Sequence, residues 1–506
     1  MKVCVLLPCL DDHHVQSNGI AKPLPRSFPD LGAFSDQHDF QNHFISSRNF
    51  KGQIDAAVAQ SYDFYFNFLG GAFDSGFRSL EASQYFEGLG LPWSGIPSSY
   101  LSTNMNGSHM AADHHNCSHN LAVREHITGQ HITCTVIQLA DDGYLALPPV
   151  VYNANHVSMK DWKLLASFEP EAEIELLRKE KGASLVEHIQ KASIGAYQTF
   201  REENRGTGGA NLGCKVHLRI RDHEKEVFVV GVDPQPASFS STQSDLAITR
   251  AFPGGPRALI DVAMANALLR SDHSVETINK LSDQYSGTAD TYEAILVGES
   301  RVPAMMKLIV EKFDFSGVTF DIACGTGIFA RVLKESYGAE DPRHRVFGFD
   351  IAPGMLKICE KFGIYESVHL DSMEETLVNV QTYAETVDHV VCFTAIQLLR
   401  PEVLSLFLVL AFALTNKSIT FTVNEVPERY NDYLESNDHA YMRSANHVKA
   451  LEDFGVPAGW ELVWKQKEFA WKTPQTGDDI YSVIYRYERV DEGTTKDVLF
   501  VNGAKM

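Results

Sequence analysis

The sequence predicts an α/β protein in two parts, an amino-terminal α+β region over 1–272 and a doubly wound parallel sheet over 273–506. Three observations predict it. Strand-like and helix-like segments alternate from residue 318 onward, the pattern of parallel strands with crossover helices. A polar break, Ser271-Asp272-His273-Ser274, parts two helical patterns. A glycine-rich turn, Gly325-Thr326-Gly327, joins a hydrophobic strand to a helix. A chain of 506 residues has room for more than one core.

In the second part, strands are predicted over 318–322, 346–350, 368–370, 387–393, 418–423 and 483–487. Helices are predicted over 329–337, 354–362 and 403–414. The last is the longest apolar run, too short to span a bilayer and read as a core helix. In the first part, strands are predicted over 3–7, 64–68, 132–139, 215–220 and 227–232, with an amphipathic helix over 260–269. The opening apolar run stops at Asp11-Asp12 and reads as a strand, not a signal peptide.

With 44 basic against 65 acidic residues the net charge is −21, which disfavours nucleic-acid backbones and anionic membranes as partners. Eight scattered cysteines lack the spacing of a disulfide framework or zinc site, so reduced thiols in the cytoplasm are expected. His109, Asp113, His114, His115, Cys117 and His119 have metal-ligand chemistry, but their spacing matches no familiar site and no metal is expected.

The sharpest signal is the strand Phe320-Asp321-Ile322 running into Ala323-Cys324-Gly325-Thr326-Gly327. Glycine lets a ligand approach the backbone, and the helix behind it offers free N–H groups. A second strand ends at Asp350, where a carboxylate accepts both hydroxyls of a ribose. The third glycine of a dinucleotide fingerprint is missing, because Ile328-Phe329-Ala330 follows Gly327.

These residues, with Gly348-Phe349-Asp350-Ile351-Ala352-Pro353-Gly354-Met355-Leu356, resemble the class I S-adenosylmethionine-dependent methyltransferases, over about 280–490. The resemblance implies a Rossmann-like sheet and S-adenosyl-L-methionine as cofactor. It implies a cofactor site of Tyr285, Asp321, Ala323, Cys324, Gly325, Gly327, Asp350, Ile351, Met355, Asp371, Ser372 and Met373. Within it the glycines admit the methionine part and Asp350 takes the ribose. Ile351 and Met373 sandwich the adenine, and Asp371 faces its amino group. Tyr285 and Tyr292 resemble a lid over the cofactor.

On the acceptor side, Thr394-Ala395-Ile396-Gln397 follows the fourth strand and Asn424-Glu425 the fifth, while Tyr430, Tyr433, His439 and Tyr441 form a polar, aromatic insertion. His439 as a base, Tyr430 and Glu425 are the catalytic candidates. Alignment supplies much of the rate of methyl transfer, so a base is optional. The absence of an Asn-Pro-Pro-Tyr tetrapeptide and of a basic patch favours a small-molecule or peptide acceptor. An amine nitrogen is preferred over oxygen, in a biosynthetic enzyme of secondary metabolism such as mycotoxin formation.

The first part resembles ATP-grasp ligases of the D-alanine–D-alanine ligase kind, through 62–72, Gly90-Leu91-Pro92-Trp93-Ser94-Gly95, Glu125 to Thr133 and Phe252 to Leu259. It departs from them in a shortened nucleotide-gripping segment between Met110 and Glu125. His217 and Gly231 stand where the family has magnesium ligands, leaving Asp233. A degenerate ATP-grasp-like domain is expected. An O-methyltransferase, a bifunctional ligase–methyltransferase and a non-enzymatic binding protein are the alternatives.

Overall fold

The computed structural model describes residues 1–9, 31–70, 78–95, 97–99, 129–139, 143–152, 174–176, 183–203, 213–221, 226–233, 247–248, 252–269, 272–338, 341–384, 386–473, 475–490 and 499–502. The chain forms two compact units, Met1–Leu268 with Thr495–Gly503, and Leu269–Thr494 with Ala504–Met506.

The first unit contains two sheets. Strands β1 (Lys2–Cys9), β2 (Asp39–Ser46), β3 (Phe64–Asn67) and β4 (Trp93–Gly95) pair in parallel in the order β2-β1-β3-β4, with helices α1 (Phe50–Val58) and α2 (Ser79–Glu87) between them in sequence. Buried on both faces, β1 reads as a continuous apolar run. The second sheet is antiparallel and holds β5 (Gln130–Gln138), β6 (Gly143–Ala146), β7 (Val150–Tyr152), β8 (Ile174–Leu176), β9 (Cys214–Ile220) and β10 (Val227–Asp233). Its apolar face (Ile132, Cys134, Val136, Val216, Leu218) packs on Ile189, Tyr197 and Phe200 of helix α3 (Ala183–Glu203). Strand alternation sends Lys215, His217 and Arg219 to the opposite face.

Helix α4 (Gly255–Leu268), expected to be amphipathic, is buried from Ala258 to Asn266 and at Leu268. Two of its buried polar side chains are bonded within the unit: Asp261 Oδ1 lies 3.0 Å from His38 Nε2, and Asn266 donates to the Gln138 carbonyl at 2.7 Å.

The second unit contains α5 (Asp272–Glu299), α6 (Val302–Lys312), β11 (Gly317–Ile322), α7 (Ile328–Tyr337), β12 (His344–Asp350), α8 (Pro353–Phe362) and β13 (Ser367–Leu370). There follow α9 (Met373–Thr376), α10 (Val380–Tyr383), β14 (Val387–Cys392), α11 (Pro401–Leu414), β15 (Thr415–Glu425), α12 (Glu428–Ser436), α13 (Val448–Phe454), β16 (Trp460–Lys472) and β17 (Asp479–Arg489). The sheet order is β13-β12-β11-β14-β15-β17-β16. Its first five strands are parallel and β17 is antiparallel to both neighbours. The closing strand, which the family resemblance places in an edge hairpin, lies in an antiparallel hairpin with β16. The order reverses between β11 and β14, which opens a crevice at the carboxyl ends of the strands.

Helix α11 is buried all round from Glu402 to Leu414, the property of a core helix. Among the described residues no helix is long and apolar enough to cross a membrane.

Strand β18 (Leu499–Asn502) pairs antiparallel with β6 in the first unit. An uninterrupted second domain over 273–506 is corrected by this pairing, which lies far from any local sequence signal.

Candidate functional site

After β11 the chain turns into α7 through three left-handed residues, Ala323 (φ 55°), Gly325 (φ 56°) and Gly327 (φ 81°). Glycine takes this conformation freely, whereas Ala323 has to be held in it. The loop is pinned by bonds from Cys324 N to Phe349 O (2.9 Å), Gly325 N to Asp350 Oδ2 (2.8 Å) and Cys359 Sγ to Gly325 O (3.1 Å). A Cβ added at Gly325 would meet only Tyr292 Cε1, at 3.9 Å, so this backbone is open to a ligand. At Gly327 and Gly348 the same atom would press on Tyr365, at 3.0 and 2.9 Å. Thr326 Oγ1, inside the loop, is buried without a hydrogen-bond partner.

Asp350, at the end of β12, accepts from Gly325 N and, through Oδ1, from Ala352 N at 2.8 Å. Burial pushes its carboxyl up to about 6 despite these donors. Asp321 is buried and accepts the Tyr365 hydroxyl at 2.7 Å, and burial raises it to about 7. Its observed partner is thus a tyrosine that also closes the space beside two glycines.

Asp371 accepts from Tyr383 Oη at 2.7 Å and from Ser372 N at 3.0 Å, and burial lifts it to about 6. Its own N–H donates to Asp350 O at 3.1 Å, tying the two acidic strand ends together. The Ser372 hydroxyl caps α9, accepting from Glu375 N at 3.2 Å and donating to Glu375 Oε2 at 3.1 Å. Met373 Sδ accepts from Cys392 Sγ at 3.8 Å. Met355 is buried with Ala289 and Ala352 beneath Tyr285 and Tyr292, and Cys324 with Leu356 and Cys359. The Ile351 carbonyl accepts from Ser282 Oγ at 2.7 Å.

Helix α5 is brought close by Gly354, where a Cβ would fall 2.6 Å from Ser286 O. It carries Tyr285 and Tyr292, whose rings meet edge to face at 6.3 Å. Burial raises Tyr292 to about 12, opposed by its hydrogen bond to Thr394. Thr394 itself sits at φ 56°, a strained position for a β-branched residue, held by Thr422 Oγ1 (2.8 Å) and Gln397 Nε2 (2.6 Å). Tyr441 donates to Gln284 Oε1 at 3.4 Å and lies 3.1 Å from His439 Nδ1, while Tyr430 stacks on Tyr433 at 6.3 Å. The Glu425 carboxylate is ion-paired with Lys467 of β16.

Sequence reasoning had no signal for Tyr365, which belongs to no motif. It also missed Ser286, whose close contact through Gly354 seats the lid helix, and the strain at Thr394.

In the first unit His217 stacks on His131 with ring centroids 5.5 Å apart and Nδ1 3.3 Å from His131 Nε2. Burial pushes His217 down to about 3 and His131 to about 4. Seven free cysteines among the described residues are all buried. The residues at 109–119 and Glu125 lie outside the described residues, among which no metal-binding cluster occurs.

The reversed strand order, the open glycine turn and the buried acid at the next strand end define a nucleotide-cofactor α/β domain of the methyltransferase class. Residues 320–417 match a family model described as a methyltransferase domain. The second unit thus carries a class I S-adenosylmethionine-dependent methyltransferase domain, with S-adenosylmethionine as its cofactor.

Similar solved structures include magnesium protoporphyrin IX methyltransferase from Synechocystis PCC 6803 (14% identity, covering 42% of this chain and 99% of that one, TM-score 0.32). A methyltransferase from Anabaena variabilis ATCC 29413 is 13% identical over 42% of this chain and 94% of that one, with a TM-score of 0.30. For the Burkholderia thailandensis 1,6-didemethyltoxoflavin-N1-methyltransferase the values are 14%, 44%, 93% and 0.29. No curated protein matches the chain.

The residues present fit the cofactor. Gly325 is open on its outer side, the Thr326 hydroxyl lacks a partner, and the Asp350 carboxylate stands at the strand end beside the open turn.

Proposed function

We propose that the protein methylates a nitrogen of a small-molecule or peptide natural product. The observation that carries this reading is the open backbone of Gly325, pinned from below by Asp350 and roofed by Tyr292. S-adenosylmethionine supplies an electrophilic methyl group on a cationic sulfur. Asp350 holds the ribose hydroxyls, and Ala323, Cys324, Gly325 and Gly327 line the methionine part. Asp371 faces the adenine amino group, with Ile351 and Met373 against the ring and Tyr285 over the cofactor. Asp321, Met355 and Ser372 act through Tyr365, helix packing and helix capping respectively. His439, beside Tyr441, accepts a proton where the nucleophile carries one, and Tyr430 orients it.

An acidic chain supports a small or peptidic acceptor over a nucleic acid. The free buried thiols support a cytoplasmic setting, and secondary metabolism is the context the reading implies. The first unit is read as a degenerate ATP-grasp-like domain. A parallel sheet followed by an antiparallel sheet on a long helix supports this, as does the neutral, buried His217 where a magnesium ligand is expected.

Calorimetric titration of the full-length protein tests both assignments. Binding of S-adenosylmethionine with silence toward magnesium-ATP is expected. Binding of ATP alone would make the first unit the active one and overturn the reading.

A further inference from the structure

The crevice lies between the carboxyl ends of the adjacent parallel strands β11 and β14, and the chain leaves both through a left-handed residue other than glycine, Ala323 at φ 55° and Thr394 at φ 56°. Such positions persist only where the surroundings enforce them. At Thr394 hydrogen bonds do so: its N–H donates to Thr422 Oγ1 of β15 at 2.8 Å, and its carbonyl accepts from Gln397 Nε2 at 2.6 Å. Tyr292, the ring nearest Gly325, bonds the same threonine. Gln397 belongs to the short 3-10 turn Ile396–Leu398, which is tied down where the Gln397 carbonyl accepts from Ala445 N at 2.7 Å.

Bonding to a carbonyl settles which end of the Gln397 amide is which, because only the nitrogen can donate. The other end, Oε1, is buried without a hydrogen-bond partner among the described residues, on a side chain only 6% exposed. A buried acceptor left unbonded costs stability unless a ligand completes it. This one is uncharged, fixed in direction and held one amide's width from the strained end of β14.

We propose that Gln397 Oε1 receives an N–H of the acceptor's reacting nitrogen, so that the acceptor is a primary or secondary amine and methylation stops at the tertiary amine. This rests on the N-methyltransferase reading and narrows it. The amine lone pair forms the new N–CH3 bond as the S–CH3 bond breaks, and the electron pair of the broken bond stays on sulfur. The positive charge passes to nitrogen, whose remaining N–H then bonds Oε1 as a charged donor. Charge-assisted hydrogen bonds are about twice as strong as neutral ones, so the contact favours the transition state over the bound substrate. The proton afterwards leaves to His439 or to water, since an amide oxygen does not keep it. A tertiary amine brings no N–H and leaves Oε1 unsatisfied, which disfavours a further transfer.

The test uses the full-length protein saturated with S-adenosylhomocysteine, whose own binding is measured first. N-methylaniline and N,N-dimethylaniline are then titrated at a mildly alkaline pH, where both are neutral. The second probe is the more apolar, so burial alone favours it. N-methylaniline is nevertheless expected to bind about tenfold more tightly. Gln397→Met, which keeps the length of the side chain and removes the amide, is expected to abolish or invert that preference, with S-adenosylhomocysteine affinity held within about twofold. A purely structural glutamine would leave the preference where it was, and that result overturns the assignment. Equal binding of the two probes, or no binding of N-methylaniline, by an unaltered protein that holds S-adenosylhomocysteine also overturns it and leaves the methyltransferase. That comparison stands by itself where the variant does not fold. Failure to bind S-adenosylhomocysteine overturns the cofactor site, and the role of Gln397 with it.

Discussion

Glycine lets chain pack on chain in both units, at Gly354 of the second as at Gly95 and Gly129 of the first, but Gly325 differs from all of them. In the first, a Cβ at Gly95 or Gly129 would fall 2.1 Å from a backbone oxygen, of Asn67 or Ile220, so these glycines let strands approach each other. In the second, Gly325 has only Tyr292 near it, at 3.9 Å. A glycine whose missing side chain is already replaced by the protein's own backbone serves packing. One that faces open space beside a buried carboxylate leaves room for a ligand. Burial acts on titratable groups in both units: it keeps His131 and His217 neutral in the first, and in the second it lowers His389 and His447 while raising Asp321 and Asp350.

The sharpest way to break this contrast is Gly129→Ala. With φ at 143° and a clash against Ile220 O, it is expected to cost the first unit about 3 kcal/mol. Thermal melting and limited proteolysis should report the loss while S-adenosylmethionine affinity stays unchanged. Asp350→Ala should do the reverse. It removes the loop anchor and the ribose ligand together and weakens S-adenosylmethionine binding about 100-fold, roughly 2.7 kcal/mol. Unchanged affinity by calorimetry would remove Asp350 from the site.

The pH dependence contributed by the buried histidine pair of the first unit and by the buried acids of the second should differ in sign. His131 and His217 take up protons more readily when unfolded. Their contribution to first-unit stability is therefore present above about 6.5 and is lost as pH falls toward 4 and 3. Asp321 and Asp350 have raised folded values, so their contribution is full below 3.8 and is lost as pH rises through 6 and 7. At pH 8, Asp321→Asn should stabilise the second unit by about 1 kcal/mol or more, an advantage that disappears near pH 4. His217→Gln should flatten the acid slope of the first unit, and melts at pH 4 to 8 resolve both. The smallest effect is expected of Tyr365→Phe, which leaves Asp321 without its donor and should cost about 1 kcal/mol in stability, with a few-fold loss of cofactor affinity.

Much of the second unit was legible because its signals are local. The strands ending at Ile322 and Asp350 and the helices behind them follow from periodicity, and Gly325 with Asp350 follows from the spacing of a turn and an acid. What was not legible depends on distant partners. Strand β16 carries two bulges that interrupt its alternation, and β18 is defined only by β6. Tyr365 acts through packing against Gly327 and Gly348 rather than through any motif. Ser372 and Met355 are adjacent to the motifs in sequence, but a cap and a helix interface occupy their side chains.

The pairing of β18 with β6 has a consequence for biosynthesis. On the ribosome β6 is made roughly 350 residues before its partner, a delay on the order of 20–70 s at ordinary elongation rates. The methyltransferase domain can close during that interval, whereas the sheet of the amino-terminal unit presents an unpaired edge to the crowded cell until β18 arrives. The part of the protein synthesised first is thus the part completed last.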